Sequence, residues 1–543
     1  MPPRDPTSQP IVQQLFSLLR RHFLLVCSIC LLVLVVFHLL RVIYTRFFHL
    51  AHFRGPPWAP FSRFWISRTI ASGDSAQIFV DVNKRYGRLA RIGPNHLITD
   101  DPEFVRRILA ARSHYVRGPW FDAIRINPEE ANIVSERDRG KHNHLRYQMS
   151  AGYAGKEIDG LEDVMNERVA DFVDRIDRNW ISTAAKTKVF DIANRIQFFA
   201  VDMITHLCFG KPLGFVASDS DVFNFLRTIE MQLPIVQHFS VFLELNELLL
   251  RAVRIPFLKK YILPSAKDKS GIGVIMGISR NVIDERYAPG AKPKRDMLGS
   301  FMKHGLSANE AETEVSISLV AGSDTTATAI RATLLSIISN PRVYARLQNE
   351  IDTAVAAGHL SSPIRDDEAR RLPYLQACIK EGLRRFPPIT QLRERVVPPE
   401  GDVYNGIHIP GGTFIGLNAW GLQLDAVYGD DPDVFRPERW LTDDADLVLR
   451  MTQVLELIFG HGTTKCLGAP IALMNLNKIF VELLRRFDIE TIDPLKPWKS
   501  TCYGIFFQHE FNVRITRREV ASCATSDSGD TTSPPNPKSP DSS

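Results

Sequence analysis

The chain has 543 residues, 44% hydrophobic and 23% charged, with a formal net charge of +5. That composition is ordinary for a globular protein, and the charge is too small and too diffuse to mark a nucleic-acid partner, because no basic run of five or more occurs. Seven cysteines, an odd and sparse set at 27, 30, 208, 378, 466, 502 and 523, exclude a disulfide framework and fit a reducing compartment.

Residues 1–22 read as a polar, proline-containing tail. Phe23 to Leu40 is apolar except for Ser28 and His38. Eighteen helical residues span about 27 Å, close to the bilayer core of about 30 Å. Residues 23–40 are therefore expected to be a single-pass transmembrane anchor in contact with lipid. A cleaved signal would have a shorter apolar core and a small-residue cleavage site. Arg20 and Arg21 on one flank and Arg41 and Arg46 on the other leave its orientation open. Cys27 and Cys30 form a C-x-x-C, but inside the apolar run and without a second pair they read as two small lipid-facing residues. Residues 41–60 are expected to be a proline-rich linker, a semi-rigid spacer at Arg54-Gly55-Pro56-Pro57-Trp58-Ala59-Pro60.

The length alone would allow three or four domains. No internal linker or repeat divides the rest, so 61–521 is read as one catalytic unit. Arg88 to Ile98 predicts two strands about a turn at Gly93-Pro94-Asn95. From about 100 to 390 the pattern is mainly helical. From 391 to 425 it becomes short-stranded and glycine-rich. Residues 522–543 are Ser-, Pro-, Asp- and Thr-rich and are expected to be disordered. The fold class expected is mainly α with a small β region.

The strongest local signal is Phe459-Gly460-His461-Gly462-Thr463-Thr464-Lys465-Cys466-Leu467-Gly468. Two glycines before the cysteine permit a tight turn, and Gly468 permits close approach of something flat. Ala469 to Phe487 predicts a helix with Pro470 in its first turn. Cys466 then stands at a helix N-terminus, where the dipole and free N–H groups are expected to lower its pKa. A glycine-rich phosphate loop is excluded by the spacing. A buried structural cysteine is the remaining alternative on this loop alone.

Other segments carry weaker signals. Ala321-Gly322-Ser323-Asp324-Thr325-Thr326 lies inside a predicted helix, Asn309 to Ser339. A mid-helix glycine costs about 1 kcal/mol against alanine, so a close approach, such as that of a planar ligand, is expected there. Thr325 can bond back to a carbonyl and open the helix locally. Glu381 and Arg384 fall on one helical face, worth only about 0.2–0.5 kcal/mol as a surface pair. His142 and Arg146 are one helical turn apart.

The cysteine loop resembles that of the cytochrome P450 family, F-x-x-G-x-x-x-C-x-G, at Phe459, Gly462, Cys466 and Gly468. The resemblance extends over about 54–515, with four motifs in the family's order. It implies the cytochrome P450 fold after the N-terminal helix, and haem b with Cys466 as the axial iron ligand. Phe459 and Gly468 would border the cofactor. Asp324 would relay protons and Thr325 would hold the oxygen-side hydrogen bonds, since two protons must arrive before the O–O bond breaks. Arg439, from Phe435-Arg436-Pro437-Glu438-Arg439-Trp440, would join Glu381 and Arg384 in a buried network under the loop. Arg395, with Arg393 as its competitor, together with Arg146 and His142, would hold the haem propionates, which are costly to bury unpaired. Thr464 departs from the family, which has Arg or His there, so another cation must replace that contact.

Within the family the chain is similar to fungal pisatin demethylase-like monooxygenases. Arg91-Ile92-Gly93-Pro94-Asn95, Tyr115 to Trp120, and Pro437-Glu438-Arg439-Trp440-Leu441 agree with them. The resemblance implies O2-dependent insertion of one oxygen atom into an apolar small molecule, in secondary metabolism of terpenoid, polyketide or alkaloid type. Electrons would come from NADPH-cytochrome P450 reductase. The protein would sit in the endoplasmic reticulum membrane, facing the cytosol. Substrate contacts would come from 118–133, 205–245, near Val320, Ile389 to Leu392, and Gly504 to Phe507. A haem-thiolate isomerase or dehydratase, and a non-catalytic haem-binding membrane protein, are the competing readings.

Overall fold

A computed structural model describes residues 8–44, 48–255, 257, 265, 268 and 272–518. The expected disordered tail, 522–543, lies outside the described residues. Seven helices position the site: α1 (Ser8–Tyr44), α2 (Arg139–Tyr153), α3 (Ile192–Phe209), α4 (Phe225–Val241), α5 (Ala308–Ile338), α6 (Pro373–Arg385) and α7 (Ala469–Leu484).

Helix α1 begins well before the predicted anchor, so residues 8–22, expected to be a tail, are helical. Its span from His22 to Arg41 is long and apolar enough to cross a membrane, and none of it is buried in the protein. The linker expectation needs correction. Leu50 and Phe53 are buried in a core cluster, and Arg54 O accepts the Arg91 amide at 2.8 Å. A Cβ on Gly55 would meet Arg91 O at 1.9 Å. The segment is therefore laid along the body's first strand. Its apolar residues are spaced three apart, and burying each contributes about 1.5–3 kcal/mol.

The main sheet has five strands: β1 (Leu89–Gly93), β2 (His96–Thr99), β3 (Val116–Arg117), β4 (Arg395–Val396) and β5 (Phe414–Leu417), in the order β1-β2-β5-β4-β3. The β1–β2 hairpin turns where the sequence predicts. β2 and β5 run parallel, and the β5–β4 and β4–β3 pairs are antiparallel. Two further strands, β6 (Lys499–Cys502) and β7 (Phe506–His509), form a hairpin.

The helical body surrounds α5. A capping box closes its start, with Ser307 and Glu310 bonding each other's backbone. Its bounds lie within one residue of those predicted. Helix α7 ends three residues earlier than predicted, because Phe487 opens a strand over Phe487–Thr491 that pairs with Asn512–Arg517. Two glycines set how close α5 sits to its neighbours. A Cβ on Gly382 of α6 would meet Thr333 Oγ1 at 2.0 Å. One on Gly322 would meet Ile204 of α3 at 2.9 Å. The mid-helix glycine thus makes room for a packed helix on this side, not only for a ligand.

Candidate active site

One apolar cavity of about 420 Å³ lies between α5 and the cysteine loop. Helix periodicity puts Ile317, Val320, Ala321 and Thr325 on the face of α5 that lines it. Phe121, Ile133, Ile229, Leu233, Ile389 and Ile505 supply walls from the segments expected to contact substrate. Leu392 and Phe507, within those segments, belong to core clusters instead.

Cys466 is at the end of the loop. Gly460 and Gly462 take φ of +78° and +60°, the left-handed turn the sequence predicts. Phe459 O then accepts the Cys466 amide at 2.7 Å, and Arg146 Nη1 donates to Lys465 O at 2.6 Å. The surface left open on Cys466 faces the cavity, so its thiol is enclosed by protein although it is accessible. Burial pushes the thiol pKa up, against the expectation of a lowered one. The Gly468 and Ala469 amides, Arg146 and Arg393 pull it down without prevailing. Desolvation wins over the helix terminus here, and a coordinated metal ion would favour the thiolate outright.

The cations converge around the same space. Arg117, Arg146, Arg393 and Arg395 all line the cavity, and no Asp or Glu does among the described residues. Arg117 was missed by motif reasoning. Its segment, Tyr115 to Trp120, was noted, but its tertiary role has no local signature. Arg117 Nη1 donates to Ile133 O and Glu136 O, at 3.0 and 2.6 Å. Its Nη2 lies 3.2 Å from His142 Nε2. An arginine only donates, so this nitrogen of His142 accepts and the ring is neutral. Burial, then the nearby Arg117, pushes the His142 pKa down to about 4. His142 therefore orients Arg117 rather than supplying a charge.

Arg393 has φ +44°, and Arg395 Nη1 donates to Arg393 O at 2.7 Å. The guanidinium groups of Arg117 and Arg395 lie 5.0 and 5.1 Å from the centre of the Phe121 ring. Burial pushes Arg393 down to about 10, and Arg395 well below the ordinary range, the latter helped by Arg117 and Arg393. Glu394, between the two, turns the other way toward His96, so it does not neutralise them. Burial pushes its pKa up to about 8.

These residues fit a haem. The Nε atoms of Arg117 and Arg393 are buried without partners, as donors awaiting an anion would be. A Cβ on Gly468 would lie 3.9 Å from Cys466 Sγ and 3.8 Å from Tyr153, in the space beside the sulfur. Thr464, which replaces the family's cation, lines the cavity but bonds back to His461 O at 3.1 Å.

Opposite the cysteine loop, Thr325 Oγ1 donates to Ala321 O at 2.7 Å, the back-bond expected of it. Asp324 is buried and turned away from the cavity toward α3, where Gln197 Nε2 donates to its Oδ1. Its Oδ2 has no partner. Burial pushes its pKa up to about 6, against the Gln197 bond and the Arg331 charge. Glu381, Arg384 and Arg439 come together away from the cavity. Arg384 binds Glu381 through Nε at 2.8 Å and Nη2 at 2.7 Å, and Arg439 Nε donates at 2.9 Å. Trp440 Nε1 and the Arg436 amide, neither of them anticipated, complete the set at 2.9 and 3.0 Å.

Among known families, the cytochrome P450 model matches residues 54–515. A relative described as cytochrome P450 monooxygenase ABA1, from Pyricularia oryzae, is 40% identical over 86% of this chain and 92% of its own length. Cytochrome P450 monooxygenase aba1 of Botryotinia fuckeliana is 37% identical over 85% and 90%. Pisatin demethylase of Fusarium vanettenii is 28% identical over 89% and 94%.

Proposed function

The chain belongs to the cytochrome P450 family, oxygen-incorporating oxidoreductases that hold haem by a cysteine thiolate, and on that premise we propose that it hydroxylates an apolar metabolite in a fungal biosynthetic sequence. The observation that carries the reading is the joint presence of Cys466 and Thr325 in one apolar, acid-free, arginine-ringed cavity. Cys466 would hold the haem iron, and Arg117, Arg146, Arg393 and Arg395 would neutralise the propionates. Bound haem supplies the one-electron chemistry that activates O2, and a thiolate favours O–O cleavage. One oxygen atom enters the substrate. The other leaves as water, with two electrons from NADPH, delivered by a membrane-bound reductase, and two protons.

The residues supply the rest. The aliphatic walls bind and orient an apolar substrate and exclude water. Thr325, its hydroxyl donated to Ala321 O, presents an acceptor lone pair to the cavity, and Asp324, one residue away, would take up and pass on a proton. The acid–threonine pair favours oxygen insertion over the isomerase or dehydratase reading. Helix α1 supports a membrane anchor, which we place in the endoplasmic reticulum with the body in the cytosol.

Purified protein, reduced under carbon monoxide, should show the haem-thiolate Soret band and consume NADPH with reductase and substrate. Cys466→Ala should lose that band and all NADPH-dependent product. A wild-type protein that binds no haem, or a product formed without O2, would overturn the assignment.

A further inference from the structure

Two turns beyond Asp324, α5 carries a second charged residue that the catalytic reading does not use. Arg331 is 2% exposed and does not line the cavity. Its Nε donates to Ala193 O at 2.8 Å, Nη1 to Gln508 Oε1 at 3.1 Å, and Nη2 to Gln197 Oε1. Each of these acceptors is neutral, so a buried cation lacks a direct carboxylate partner. Such a charge is costly unless an anion lies nearby. Asp324 is that anion, one amide away.

The donor–acceptor logic of this bridge has only one solution. Arginine has no acceptor, so the carbonyl of Gln197 must face Arg331. Its amide NH2 then faces Asp324, which must accept at Oδ1. Gln508 is fixed in the same way, because its Oε1 takes Arg331 Nη1 and Thr328 Oγ1, the latter at 3.3 Å. Gln197, the amide between Arg331 and Asp324, and Gln508, the second amide on Arg331, are thus each locked in one of their two orientations. Asp324 is left with one satisfied oxygen and one buried oxygen open to a proton.

We propose that Arg331 and Gln197 are positioning residues that fix the orientation and the proton affinity of Asp324, the acid that serves Thr325. The catalytic part rests on the monooxygenase reading; the electrostatic part does not. The charged groups around Asp324 are Arg331 on its own helix and Glu230 on α4, with Asp191, just before α3, acting on Arg331. Glu230 is paired to His509 at 3.2 Å, so its charge is partly spent at the surface. Arg331 is the cation that holds down the proton affinity of Asp324, against its burial.

The test uses the full haem-loaded chain in detergent. The buried carboxyl stretch in the infrared, assigned by its loss in Asp324→Asn, is titrated against pH. Arg331→Met should raise the midpoint by about one unit or more, as removal of a neighbouring opposite charge does. Product formed per NADPH consumed should fall roughly tenfold, and the solvent isotope effect on turnover should rise. Arg331→Lys should recover part of both. Gln197→Glu keeps the side-chain shape, pairs directly with Arg331 and places a second carboxylate beside Asp324. It should raise the midpoint even if Arg331→Met does not fold. An unchanged midpoint in Gln197→Glu, with the haem-thiolate band intact, would overturn the proposal and leave Arg331 a purely structural cation. Loss of the band in the wild type would instead overturn the monooxygenase reading, while the carboxyl titration would still stand or fall by itself.

Discussion

Helix α5 is flanked by two buried charge clusters built on opposite plans. Around Glu381, five donors saturate one carboxylate: two from Arg384, one each from Arg439 and Trp440, and the Arg436 amide. Around Asp324, a single amide donates to one oxygen and the other is left open. Burial pushes both carboxyls up, but the hydrogen bond and charge of Arg384 outweigh it at Glu381, whose pKa ends lowered. At Asp324 burial wins. A saturated carboxylate cannot exchange a proton without breaking its surroundings, whereas an unsaturated one can. The first arrangement fixes geometry and the second stays chemically available.

The contrast can be broken from either side. Arg384→Met should be the most damaging change, because it takes the bidentate cation and two of the five donors from the buried Glu381. Removing one partner of such a pair costs about 3–5 kcal/mol, to be read as a fall in the urea midpoint and in haem retention.

The pH dependence should differ in sign. Glu381, with a lowered pKa, contributes stability above the ordinary carboxylate range and loses it as pH falls. Glu381→Gln should therefore destabilise most at neutral pH. Asp324, raised from 3.8 to about 6, contributes its full stability only below about 3.8 and loses it as pH rises to 6. Asp324→Asn should remove this pH dependence, so that the stability of the variant changes less between about pH 4 and pH 7 than that of the wild type, while turnover is lost. Denaturant melts at the two pH values check both.

Smaller effects sharpen the comparison. Gly382→Ala should cost more than Gly322→Ala. The first drives a methyl to 2.0 Å from a threonine oxygen, and the second to 2.9 Å from Cγ1 of Ile204. Overpacking of this kind typically costs about 1–3 kcal/mol, measured by thermal unfolding. Thr325→Ala should leave stability almost unchanged and raise peroxide released per NADPH. Equal coupling in the variant would remove Thr325 from the proposed role.

The sequence exposed this site unevenly. Cys466, its two turn glycines and the helix after it were legible because tight turns and helix starts demand particular residues locally. The Glu381–Arg384 pair was legible as a helical spacing, though not as a saturated site, since Trp440 and the Arg436 amide arrive from some 55 residues away. Arg117, Gln197 and Arg331 left no local mark, because their roles come from α3, α5 and the segment before α2 meeting in space. The lowered thiol pKa expected of Cys466 failed for the same reason. A helix terminus is visible in one dimension, but enclosure by distant segments of the chain is not. Leu50 and Phe53 were hidden beside three prolines, whose stiffness dominated the reading of that stretch.

The burial of Leu50 also limits the freedom of the catalytic body. Only five residues separate it from Tyr44, the last residue of α1. At about 3.4 Å per residue, that leash reaches no more than ~20 Å. Where α1 crosses a bilayer, the body is moored against the lipid headgroups and cannot swing freely away from them. A greasy substrate dissolved in the leaflet would then have a short journey to the cavity, and a membrane-borne electron donor would find its target by diffusing in two dimensions.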